Sequence, residues 1–93
     1  MSFKRVCSAL INGKRWVIGF GVAGADNDGL CNYDKKKIIV KAAHNGRTRS
    51  LEEVTIHEIA HAVMPQSDEP TILHLAEVCA IVLQKIKAAE ASK

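Results

Sequence analysis

The sequence predicts an α+β domain in which a small three-stranded sheet packs on a two-helix hairpin. Three observations carry that prediction. Asn12-Gly13 separates two apolar, β-branched stretches, and both residues accept positive φ, as a tight hairpin turn requires. Ser50 and Glu53 form an S-x-x-E capping box ahead of an amphipathic segment. A second segment at helical spacing follows Pro65 after a short polar loop, and so short a connection implies an antiparallel helix pair.

Residues 3–11 supply the first strand and residues 15–20 the returning strand. Gly19 and Gly21 weaken the second strand and mark a bulge or a close backbone approach. Trp16 is assigned to core or hairpin packing. Residues 22–32 are rich in Gly, Asp and Asn and read as a loop. Within it, Asp26-Asn27-Asp28-Gly29 is faintly like a calcium loop, but it lacks the alternating acidic series and the distal Glu, so a plain turn is expected. Residues 37–42 form the third strand and residues 43–49 a polar connector.

The first helix begins at the Ser50 cap. Ile56, Ile59, Ala60 and Val63 recur at helical spacing and are expected to be its buried face. Pro65 stops it near Val63 or Met64. The second helix starts between Asp68 and Pro70, since proline is tolerated in a first turn. Ile72, Leu75, Ala76, Cys79, Val82, Leu83 and Ile86 give it a continuous apolar stripe. Ile81 points away from that stripe and marks a second buried face or a self-association patch.

With 93 residues the chain has room for a single domain, spanning residues 1–93, and its stability margin is thin. A bound metal would help to hold so small a fold. Net charge is +3. The run Lys35-Lys36-Lys37 has no interleaved aromatics, so it reads as a solvated face and nucleic-acid binding is not favoured. Cys7, Cys31 and Cys79 are widely spaced and odd in number, which argues against a disulfide framework or a Cys-based zinc knuckle and for reduced thiols. The N-terminus leads into no signal-type apolar stretch, and the apolar run at 75–83 is too short to span a bilayer. A soluble, cytoplasmic protein with no membrane association is expected.

The chemistry lies in His57-Glu58-Ile59-Ala60-His61. Histidines four residues apart share one face of a helix and converge their imidazoles. Two imidazole nitrogens about 2 Å from one point are two-thirds of a catalytic zinc site. Glu58, about 100° round the helix, falls beside the metal and within reach of a metal-bound water, as a general base must. Thr55, Ile59, Ala60, Ala62 and Val63 surround the histidines, where a solvated face would carry Lys or Glu.

The segment Val54-Thr55-Ile56-His57-Glu58-Ile59-Ala60-His61-Ala62-Val63 resembles the extended zincin signature, in which uncharged residues flank HExxH. The wider stretch, Gly29-Leu30-Cys31-Asn32-Tyr33-Asp34, then the strand at 37–41, then the HExxH helix, is similar to small phage and bacterial minimal zincin metallopeptidases. The resemblance covers residues 29–83. It implies a zinc-dependent hydrolase acting on a peptide or protein, with one Zn2+ and a strand that forms the rim along which the substrate lies.

A third ligand must come from His44, Asp68, Glu69, His74 or Glu77. Helical angles place His74 and Glu77 nearly opposite the second helix's apolar stripe. Glu69 lies on the flank of that stripe and near the loop, as does His61 from the other side. A carboxylate there needs a partner. The acidic pair Asp68-Glu69 also resembles one found after the motif in minimal zincins. Glu69 is therefore the preferred ligand beside His57 and His61. Asp68 is assigned to capping through the Thr71 N–H. Glu77 stays open because gluzincins draw a glutamate from the following helix, and His74 stays open if that helix begins later. Tyr33 and His44 are outer candidates for stabilising an oxyanion. Three rival readings remain at this point: a zinc-holding interaction module without turnover, a DNA-associated protease of the SprT-like kind, and a structural helix-hairpin protein in which the motif is accidental.

Overall fold

The computed structural model describes residues 3–22 and 27–92. Its elements run β1 (Lys4–Ile11), β2 (Lys14–Phe20), β3 (Gly29–Asn32), β4 (Lys37–Val40), a 3-10 turn at Ala43–Asn45, α1 (Leu51–Val63) and α2 (Glu69–Ala91). The α+β class and the two helices agree with the sequence. The sheet has four strands rather than three, in the order β1-β2-β4-β3.

The β1–β2 hairpin closes through Asn12 at φ 51° and Gly13 at φ 78°, the paired positive values of the expected turn. Its register shifts between Arg5 and Cys7, opposite Gly19. A Cβ on Gly19 would collide with the Lys4 carbonyl oxygen, so the close backbone approach read from that glycine is present. β4 pairs parallel with β2 and antiparallel with β3. It is therefore an inner strand, which explains why Ile38 and Val40 are buried. The strand at 37–41, expected to be the rim along which a substrate lies, is thus an inner strand, and the edge on that side is β3.

β3 is the strand the sequence concealed. Four residues, two of them Gly and Asn, carry little strand propensity, and the segment forms because β4 pairs with it. Asp28 fixes its start. The Asp28 carboxylate accepts hydrogen bonds from Thr48 N (3.0 Å), Thr48 Oγ1 (2.7 Å) and Arg49 N (3.0 Å), just ahead of α1. Partial burial works to raise this carboxyl, but those hydrogen bonds, with Lys41 nearby, outweigh it and hold it below the usual carboxylate range. The carboxylate is thus committed to a structural clamp. Asp26 lies outside the described residues.

Helix α1 begins as read: Ser50 is its N-cap, and its hydroxyl accepts from Glu53 N at 3.1 Å. Its buried face differs. Val54, His57, Glu58, Ala60 and Ala62 are buried, whereas Ile56 and Ile59 are half-buried and Val63 is exposed. The reason is that α1 packs on β3 and β4 on one side and on α2 on the other, so its inward arc includes the HExxH positions. Val54 and Ala62 join Ile11, Trp16, Ile38 and Val40 in one core. The C-terminal carbonyls of α1 are met from the sheet: Asn12 Nδ2 donates to Val63 O at 3.0 Å, and Tyr33 Oη donates to His61 O at 2.7 Å.

Helix α2 returns antiparallel to α1, with Glu69 beside the α1 histidines and Lys87 Nζ 3.0 Å from Glu52 Oε2. Of its predicted stripe, Ile72 and Ala76 are buried and Cys79 is half-buried, while Leu75 is exposed; Ala80, outside that stripe, is buried as well. Val82, Leu83 and Ile86 are exposed: they lie beyond the last buried position, Ala80, and Val82 and Ile86 sit on a flank turned away from the buried line. Asp68 stands at the N-cap but makes no side-chain cap hydrogen bond, so the capping expected through Thr71 is not formed. Among the described residues no helix is long and apolar enough to cross a membrane.

Candidate metal centre

Helix α1 carries His57 and His61 one turn apart, and the first residue of α2 swings a carboxylate across them. Glu69 Oε1 lies 2.7 Å from His57 Nε2, and Glu69 Oε2 lies 3.0 Å from His61 Nε2. The two Nε2 atoms are 3.1 Å apart, and the rings tilt by 59° so that both nitrogens face one point. Among the described residues these three form the group whose ligand atoms converge, all within 4.8 Å. Two ligands about 2.05 Å from a tetrahedral ion sit roughly 3.3 Å from each other, so the nitrogen pair already has nearly the spacing a zinc-sized cation imposes. Imidazole, imidazole and carboxylate are also a suitable donor set for a first-row transition ion.

The local electrostatics favour a neutral ligand at His57. Burial lowers its pKa and outweighs the opposing pull of Glu69. The lone pair is then open to a cation at neutral pH. His57 Nδ1 is buried and meets no hydrogen-bond partner among the described residues. Its ring is oriented by packing and by Nε2 rather than by the outer-shell acceptor common at metal sites. His61 is fixed through its own carbonyl, which Tyr33 holds.

Glu58 does not join the triad. It is buried against β3, and burial pushes its carboxyl up to about 7, with Glu69 adding to the rise and Arg49 opposing it. A carboxyl poised near neutrality can both take and release a proton there. Gly29 makes room for it. A Cβ on Gly29 would stand 2.9 Å from Glu58 Cγ, 2.9 Å from Glu58 Oε2 and 2.9 Å from Val54 Cγ1. The cleft over the triad has a volume of about 380 Å³ and is bordered by the β3 residues Gly29, Leu30 and Cys31. It continues past Glu58 towards Thr48 and Arg49. Burial, then Glu58, push the Cys31 thiol up to about 11, so this neighbour stays protonated and is unsuited to ligate as a thiolate.

The remaining sequence candidates lie elsewhere. His74 and Glu77 are exposed on α2, and neither belongs to the convergent group. Asp68 precedes α2 without joining it, and His44 sits in the 3-10 turn. The Tyr33 hydroxyl is spent on the His61 carbonyl, and its ring stacks edge-on to Trp16. In the basic run, Lys36 Nζ donates to Tyr33 O and Lys37 lies over the Phe3 ring at 4.5 Å, so two of its three charges are held against the fold. Sequence reasoning missed the roles of Gly29 and Asp28 at the site, and the contact of Asn12 with the end of α1. The available signal for Gly29 was a four-residue stretch followed, after a four-residue turn, by an equally short strand.

No family model matches this chain, and no match to it exists among the curated proteins or the solved structures compared.

Proposed function

We propose that this protein is a minimal zincin, a zinc-dependent hydrolase of peptide bonds, with His57, His61 and Glu69 as ligands and Glu58 as general base. The observation that carries the proposal is the convergence of both Nε2 atoms and the Glu69 carboxylate, with a separate buried carboxyl beside them whose pKa is about 7. A zinc ion held there supplies a Lewis acid that polarises a carbonyl and increases the acidity of a water.

The protein's own groups do the rest. Glu58 takes a proton from the attacking water and delivers it to the departing amine. Glu69 closes the triad from the solvent side, and its side chain is 60% exposed, so the site is open to a substrate. β3 is the sheet edge beside the cleft and pairs through β4 alone among the described strands. An extended peptide adds to that edge by main-chain hydrogen bonds, with its scissile carbonyl over the triad. Gly29 lets the edge backbone and Glu58 share one small space.

The test is elemental analysis and peptide hydrolysis on wild type beside Glu58→Gln. Wild type is expected to hold one zinc per chain. The variant keeps that zinc while hydrolysis falls by a factor on the order of 10²–10⁴. Unchanged hydrolysis removes Glu58 from its role. Wild type that retains zinc but cleaves nothing across a broad peptide panel reduces the protein to a metal-holding module.

A further inference from the structure

Helix α2 exposes an apolar flank that the rest of the fold does not cover. Its buried line, Ile72, Ala76 and Ala80, faces α1. Leu75, Val78, Val82 and Ile86 run down a second flank, 37%, 44%, 47% and 59% exposed. At about 100° per residue, this flank lies roughly a third of a turn from the buried line. With 23 residues against the 13 of α1, α2 is also about 15 Å longer than its packing partner.

The spacing of the flank identifies what would cover it. Leu75, Cys79, Val82, Ile86 and Ala89 alternate steps of four and three, the a/d repeat of a coiled coil. Cys79 and Ile86 fall at a positions, and Leu75, Val82 and Ala89 at d positions. Val78 and Lys85 then occupy g positions, and Leu83 and Glu90 occupy e positions. In a parallel pair, each g residue faces the e residue five places on in the other strand. That rule sets Val78 against Leu83 of the partner subunit, apolar to apolar. It sets Lys85 against Glu90 of the partner subunit, cation to anion. An antiparallel pair would set g against g, where Lys85 meets no carboxylate.

We propose that two copies of this chain associate in parallel through this flank of α2. The self-complementary charge pattern is what selects a second copy as the occupant. The metal ligands stay clear of the contact, because Glu69 lies on the α1 side of the helix. The proposal is independent of whether the site hydrolyses peptides.

The experiment is sedimentation equilibrium on the full chain, up to millimolar concentration. Wild type is expected to approach twice the 10.1 kDa monomer mass. Val82→Glu, a change at an exposed position, is expected to stay monomeric with an unaltered circular-dichroism spectrum. Lys85→Glu and Glu90→Lys should each weaken the dimer by about fivefold or more, and the double exchange should restore it. A wild type that remains monomeric at millimolar concentration overturns the proposal. So does a dimer that the double exchange fails to restore.

Discussion

Glu58 owes its pKa of about 7 to where it sits, buried against the β3 backbone beside the proposed metal ligands. That placement depends on one residue without a side chain. Gly29→Ala puts a methyl group within 2.9 Å of both Glu58 and Val54. We expect it to destabilise the fold by about 1–3 kcal/mol, as overpacking does, and to lower hydrolysis while zinc content persists. Thermal unfolding and metal analysis of the purified variant measure both effects. As the proposed third ligand, Glu69 stands on an exposed stem, so its removal is expected to leave the fold intact and the metal loosely held. Glu69→Ala is expected to weaken zinc binding by more than about 100-fold, beyond the 10–100-fold typical of outer-shell losses. A competitive chelator titration reads this out, and unchanged affinity would exclude Glu69 as a ligand. The HExxH pattern identified His57, Glu58 and His61 from sequence because the i, i+4 geometry is local. Gly29 gave no such sign, since the contact that makes it necessary joins residues far apart in the chain.

At the scale of elements, α1 is held in register by contacts at both ends. Asp28 clamps the approach to its first turn, and Asn12 and Tyr33 engage its last carbonyls. The Asp28 pKa is lowered in the folded state below its ordinary value of 3.8. Its contribution is therefore present above the unfolded value and is lost as pH falls below about 4 through the folded value. Asp28→Asn should flatten the acid limb of the stability profile in that window, measured by denaturant unfolding across pH. A limb unchanged by the substitution would show that the clamp contributes nothing. Asn12 has two roles that a pair of variants separates. Asn12→Gly keeps the positive φ but loses the hydrogen bond to Val63 O, and should cost about 1 kcal/mol. Asn12→Ala loses both and should cost more. The turn role was legible in the Asn-Gly pair; the capping role was not, because Ala62 and Val63 approach only once the sheet and helix have packed.

At the scale of the whole molecule, an ion held by the proposed ligands would tie α1 to α2 where a small core leaves little margin. Zinc that binds the folded state alone, at about 100 times its dissociation constant, adds about 2.7 kcal/mol. For a domain of this size that corresponds to a Tm higher by roughly 10–20 °C, lost on chelation and regained on adding zinc. Differential scanning fluorimetry with and without chelator checks it, and a Tm indifferent to zinc would uncouple the site from the fold. The sequence by itself determined the α+β class, the Asn12-Gly13 turn, the Ser50 cap and the histidine pair, all of which rest on interactions within a few residues. Glu69 was also within its reach, because a short helix–helix loop brings its flanks together. Only the tertiary structure decided that β3 exists, that it rather than β4 is the sheet edge beside the cleft, and that the inward face of α1 is the one bearing His57 and Glu58. Those outcomes depend on which surfaces meet when sheet and helices close on one another, and the energy of such distant contacts is not written in the periodicity of any single segment.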